Sequence, residues 1–190
     1  MDNPLIALLQ QFRPIGIDDK AIIEKAFVRK DFKENGQLFS PGGICRELFF
    51  ICCGVLRIQV LNEKGNSVTH YFLKENQFCT ILNSFTNQVP AEESIEAACN
   101  AEVLAINHDS LLKLYEQVPY LKTLVDNAIQ QGLIDKINTR NAYLGHGSLE
   151  RYRLFIARQP EVASRVSMGD IASYLGITPQ SLSRIRKNIK

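Results

Sequence analysis

The residues best suited to chemistry lie near the end of the chain, in Val166–Lys190, VSMGDIASYLGITPQSLSRIRKNIK. Ser167 can cap a helix, with Asp170 as the acid of a shortened capping box. Ile171, Ala172 and Leu175 form an apolar face, and Gly176 stands where a helix-ending residue with positive φ belongs. Ile177 plugs the space between two helices. Thr178 is a second cap, and Pro179 takes the first helical position. Leu182 and Ile185 then face inward, leaving Gln180, Ser181, Ser183, Arg184, Arg186 and Lys187 facing out. Two helices joined by a glycine turn and crossing at a small alanine have helix-turn-helix geometry. An amide and a guanidinium on such a second helix can make paired hydrogen bonds to adenine and guanine edges. The helix N-terminus, the hydroxyls and Lys187 suit phosphates. A helical hairpin that merely packs is the plainer reading. Caps, turn, crossing residue and polar face all agree with the nucleic-acid one.

Charge is distributed in the same sense. Residues 148–190 carry eight Lys/Arg against three acids, whereas residues 1–147 hold 14 bases and 17 acids. A basic terminal segment on an acidic body is the electrostatic footprint of a nucleic-acid contact. By itself it is equally a solvated charged face.

Other elements must carry this segment. Pro4–Phe12 reads as a helix, and Asp18 as the cap of a second, with Ala21, Ile22, Ile23, Ala26 and Phe27 at helical spacing. From Val28 to Ile106, short apolar runs are broken by turn residues. Leu48–Cys53, Val55–Leu61 and Val68–Leu73 are the clearest strands. Many short strands favour an antiparallel barrel or sandwich over an alternating α/β fold. Helical signals return over Asp109–Gln117 and again from Pro119 to Leu144. Along the latter runs a stripe that includes Leu121, Val125, Ala128, Ile129, Leu133 and Ile137. A stripe this long is either core packing or a dimer seam. The seam is favoured, because so long a helix overruns a small barrel. Gly145-His146-Gly147 breaks the pattern as a flexible joint. Three short helices follow, at 148–158, 167–175 and 178–188. The expected layout is a sensor domain over 1–117, a dimerisation helix over 118–144, a hinge over 145–147 and a helix-turn-helix domain over 148–190.

Composition bounds the remaining choices. The 190 residues include 22 Lys/Arg and 20 Asp/Glu, a net charge of +2, with 45% hydrophobic and 22% charged residues, which excludes disordered and low-complexity classes. No apolar run approaches the ~20 residues of a membrane helix, and Met1-Asp2-Asn3-Pro4 is no secretory leader. The five cysteines, an odd number, fit reduced thiols in the cytoplasm. Cys52 and Cys53 are adjacent and would point to opposite faces of a strand, which is poor geometry for a cluster. His70, His108 and His146 stand apart, without metal-ligand spacing. No nucleophile motif, Walker sequence or dinucleotide fingerprint occurs, so no case for an enzyme arises.

On these residues the chain resembles the Crp/Fnr family of bacterial transcription regulators. The resemblance is strongest at Ile171–Thr178 and Ser181–Arg184, and extends to Gly42, Gly54-Val55-Leu56 and Gly65. It implies an α+β protein: an N-terminal antiparallel β-roll of cupin or jelly-roll type with flanking helices, a long dimerisation helix and a small all-α helix-turn-helix domain. It implies a homodimer on palindromic double-stranded DNA, with RNA polymerase as a further partner if the protein is an activator, and no membrane. Gln180, Ser183 and Arg184 would face bases. Thr178 and Ser181 would face phosphates, helped by Arg186, Lys187 and Lys190. The sequence given stops just after the second helix, so no β-hairpin wing is expected.

The family's phosphate cassette is degenerate here. Thr80-Ile81-Leu82 stands for Gly-Glu-Leu, and Ala91-Glu92-Glu93 for Arg-Ser/Thr-Ala. A carboxylate ~4 Å from a phosphate costs on the order of 4 kcal/mol at an effective dielectric of about 20, and no guanidinium offsets it. Cyclic AMP in the usual mode is therefore not expected, and no cofactor is predicted. The roll is left to hold another effector, or none. The alternative is a small-ligand or cyclic-nucleotide sensor whose terminal domain binds a protein.

Overall fold

The computed structural model describes residues 3–63 and 65–188. Two helices, α1 (Pro4–Leu9) and α2 (Ile17–Ala26), lead into strands β1 (Val28–Phe32), β2 (Gln37–Phe39), β3 (Glu47–Cys53), β4 (Leu56–Leu61), β5 (Ser67–Leu73) and β6 (Phe78–Cys79). Helix α3 (Leu82–Asn87) and strands β7 (Ser94–Ala97) and β8 (Ala101–Asn107) complete the β unit. Six helices follow: α4 (His108–Gln117), α5 (Leu121–Asn141), α6 (Ser148–Arg158), α7 (Pro160–Ala163), α8 (Met168–Leu175) and α9 (Pro179–Asn188).

The strands form two antiparallel four-stranded sheets, ordered β1-β8-β3-β6 and β2-β7-β4-β5. Facing sheets bury their inner residues between them, here Phe49, Ile51, Leu56, Ile81 and Ile95. The outer face of the first sheet is buried as well, under α1, α2, α4 and the first turns of α5, through Leu48, Phe50, Ile106 and Leu114. Strand β3 is therefore apolar on both faces and reads as a continuous run, Leu48–Ile51. Gly54 turns β3 into β4 at φ 96°, and a Cβ there would lie 2.4 Å from the Asn100 carbonyl oxygen, so only glycine fits.

Several boundaries differ from the sequence expectation. Gly16, not Asp18, caps α2, while Asp18 and Asp19 occupy its first turn, where acids suit the helix dipole. Pro119 sits in the tight turn closed by Leu121 N–H donating to the Val118 carbonyl, so α5 begins two residues late. It ends at Asn141, three residues short of Leu144.

The seam assignment needs correction at two positions. Leu121 and Val125 are 0% and 1% exposed, locked in the chain's own core, and are not available to a second copy. Ala128 and Ile129 lie partly against the same core. The stripe is exposed only farther along, where Leu133, Ile134 and Ile137 are 37%, 43% and 58% accessible.

Candidate functional site

Helices α8 and α9 form where local chemistry dictates. The Ser167 hydroxyl accepts from the Asp170 amide at 3.1 Å and donates to the Asp170 carboxylate at 2.8 Å. This matches the capping expected of a Ser-x-x-Asp start. Gly176 adopts φ 64°, and the Ile177 amide donates back to the Ala172 carbonyl, ending α8 in a left-handed turn. The Thr178 hydroxyl then accepts from the Ser181 amide at 3.1 Å and opens α9. Ala172 and Leu182 are fully buried between the helices.

On the opposite side of α9, Gln180, Ser183 and Arg184 are all exposed. At i, i+3 and i+4 they share one face of the helix. Arg186 and Lys187 are exposed farther along, and Arg186 reaches the Met168 sulfur at 2.9 Å. The hydroxyls of Thr178 and Ser181 are bonded to each other at 2.9 Å, with Thr178 exposed and Ser181 half-buried. Lys190 lies outside the described residues.

The C-terminal helices do not hang free. Their core, built on Phe155, Ile171 and Leu175, is continuous with Val55, Phe72 and Ala98 of the β unit. The Phe72 and Tyr174 rings meet edge to face at 5.1 Å between centroids. Strand β5 is an edge strand, and its Thr69 amide donates to the Ser173 hydroxyl at 2.9 Å, so α8 covers the edge. Arg57 of β4 pairs with Asp170 of α8 and, at 2.8 Å, with Glu96 of β7. Lys74 pairs with Glu161, and both terminal nitrogens of Arg165 reach Glu75. Burial alone would raise the Glu75 carboxyl, but the Arg165 hydrogen bonds and the Gly54 amide at 2.7 Å bring it down to about 2. The sequence reading missed this docking. Asp170 was read only as a capping acid, and Arg57 was given no role.

The degenerate cassette does not converge on one pocket. Ile81 and Ala91 are 5% and 6% exposed and point into the core between the sheets, which aromatic and aliphatic side chains fill. The Thr80 hydroxyl donates to the Glu47 carbonyl at 2.9 Å. Thr80 and Leu82 line a cavity beside α5, whereas Glu92 borders a separate groove with Arg57 and Glu96. Glu93 is half-buried and lines neither. The expected effector pocket is thus divided, because the two apolar replacements joined the core.

The cysteines are all free thiols, and burial pushes Cys52 up to about 11 and Cys79 up to about 12. Among the described residues no group of three or more His, Cys, Asp or Glu could hold a metal ion, and no helix is long and apolar enough to cross a membrane.

Comparison with known proteins bears on the β unit directly. Residues 29–118 match the family described as the cyclic nucleotide-binding domain. This segment is similar to cyclic nucleotide-binding domains. No curated protein sequence matches the chain. Among solved structures, the c-di-GMP responsive global regulator CLP of Xanthomonas campestris superposes with TM-score 0.70 at 14% identity, over 92% of this chain and 91% of that one. FixK2 of Bradyrhizobium japonicum gives 0.68 at 18% identity, over 86% and 84%. A putative Crp/Fnr-family transcriptional regulator of Eubacterium rectale gives 0.65 at 16% identity, over 96% and 87%. This segment and the helices after it together share the α+β fold of these solved structures.

Proposed function

We propose that this chain is a homodimeric, sequence-specific DNA-binding transcription regulator of the Crp/Fnr type, and not an enzyme. One observation carries the reading: Gln180, Ser183 and Arg184 stand together and exposed on α9, while the other side of the helix pair is committed to packing. A helix that presents an amide, a hydroxyl and a guanidinium on its outer face fits a major groove. Arg186 and Lys187 extend that face toward phosphates, and the positive charge of residues 148–190 supplies attraction over distance. Residues 148–190 act as the DNA-binding domain, 145–147 as the joint and residues 1–117 as the sensor.

The exposed half of α5, with Leu133, Ile134 and Ile137, supports dimerisation through that helix. Two copies related by a two-fold axis would place their second helices on half-sites about one duplex turn, ~34 Å, apart. Ile81 and Ala91, buried where a cyclic nucleotide's ribose and phosphate need polar partners, argue for control by something other than cyclic AMP.

Selection of bound duplexes from a random pool tests the reading. A recovered palindrome whose affinity falls steeply with salt is expected. Recovery of no preferred sequence, or salt-independent association, would overturn it.

A further inference from the structure

The start of α8 and the last turn of α9 meet at a sulfur. Arg186 donates from Nη1 to the Met168 thioether at 2.9 Å, at the exposed surface of the helix pair. Met168 is half-buried, its side chain packed against the core that holds Ile171 and Leu182. Among the described residues no carboxylate pairs with Arg186. A thioether is a weak acceptor, so this contact holds the guanidinium only lightly and lets it go to a phosphate. Apart from Met1, which lies outside the described residues, Met168 is the only methionine in the chain.

We infer that Met168 is a modification site for peroxide, and that its sulfoxide takes Arg186 out of DNA contact. The inference rests on the reading of Arg186 as a phosphate contact. In the reaction a sulfur lone pair attacks one oxygen of hydrogen peroxide. The S–O bond forms as the O–O bond breaks, and the departing hydroxide takes the proton from the transferred oxygen and leaves as water. Sulfur gives up two electrons and peroxide accepts them. The guanidinium beside the sulfur is placed to donate to the leaving hydroxide, where negative charge develops.

The product changes the balance at Arg186. A sulfoxide oxygen is a strong acceptor where the thioether was a weak one, and it stands within reach of the same guanidinium. Arg186 is then held by a charge-assisted hydrogen bond within the protein instead of by a phosphate. The change is reversible, since sulfoxide reductases restore the thioether.

Treatment of the full chain with hydrogen peroxide, followed by dithiothreitol to restore reversibly oxidised thiols, tests this. Mass spectrometry should find one added oxygen at Met168. Affinity for the selected duplex should fall about tenfold, the scale of one charge-assisted hydrogen bond, and methionine sulfoxide reductase should restore it. Met168→Leu keeps Met1 and all five cysteines; it should bind DNA as the untreated protein does and lose no affinity on treatment. Arg186→Ala should be weaker from the start and lose nothing further when oxidised. No sulfoxide at Met168, a sulfoxide without loss of affinity, or an equal loss in Met168→Leu would each overturn the inference. Failure of the untreated protein to bind any duplex overturns the DNA-binding reading and this inference with it, and shows before oxidant is added.

Discussion

Arg57, near the start of β4, is ion-paired with Asp170 of α8, 113 residues along the chain, and both side chains are nearly shut off from water. One guanidinium thus ties the β unit to the C-terminal helices, held from its other side by Glu96 at 2.8 Å and Asn35 at 3.1 Å. Removing the cation leaves two carboxylates facing each other without compensation. Arg57→Met should destabilise the protein by about 3–5 kcal/mol in denaturant unfolding. Asp170→Asn, which leaves Arg57 its Glu96 partner, should cost clearly less.

The docking also responds to acid. Glu75, whose carboxyl moves from 4.5 to about 2 on folding, binds protons less readily when its hydrogen bonds to Arg165 and the Gly54 amide are made. Its stabilisation is therefore complete above about pH 4.5 and is lost as pH falls through about 2. The unfolding midpoint should drop across that window, and Glu75→Gln should flatten the drop.

DNA binding separates two kinds of contact. Arg184→Ala should cost ~1–3 kcal/mol on the selected site and relax the preference at one base pair. Lys187→Ala should weaken all sequences alike and lower the slope of log affinity against log salt by about one. Filter-binding or anisotropy titrations over a salt series distinguish the two.

Oligomerisation should depend on the exposed half of α5 alone. Ile137→Glu is expected to convert dimer to monomer in sedimentation, with little change in the melting temperature, because Ile137 is 58% accessible in the single chain. Val125→Glu should instead unfold the protein, since Val125 is 1% accessible.

Gly54 offers a purely steric test. Gly54→Ala forces a methyl group against the Asn100 carbonyl and a left-handed φ on alanine. The cost should reach about 3 kcal/mol or more in thermal or denaturant unfolding, against a few tenths for Gly147→Ala, which meets open space.

Local chemistry made much of this legible in the sequence. Ser167, Gly176 and Thr178 end and begin helices by bonds to neighbours within three or five residues, and such bonds are written in residue type. The apolar run of β3 is explained by cores on both of its faces. What depends on a distant partner was not legible. Arg57, Gln59 and Thr69 carry polar side chains that suggest a wet sheet face, yet α8 covers that region and all three are buried. Likewise the periodicity of α5 marked an apolar stripe without saying which surface meets it, so Leu121 and Val125 were assigned to a partner and belong to the chain's own core. The short elements α7, β2 and β6 have too few residues for any period to register.

The anchoring of α5 at one end has a mechanical consequence. From Val125 to Asn141 the helix extends ~24 Å beyond its buried turns. A tilt of about 10° at that fulcrum sweeps the far end, and the start of the joint, through roughly 4 Å. Whatever wedges against the inner turns is therefore amplified at the outer ones, on the scale by which one side chain could slip past another.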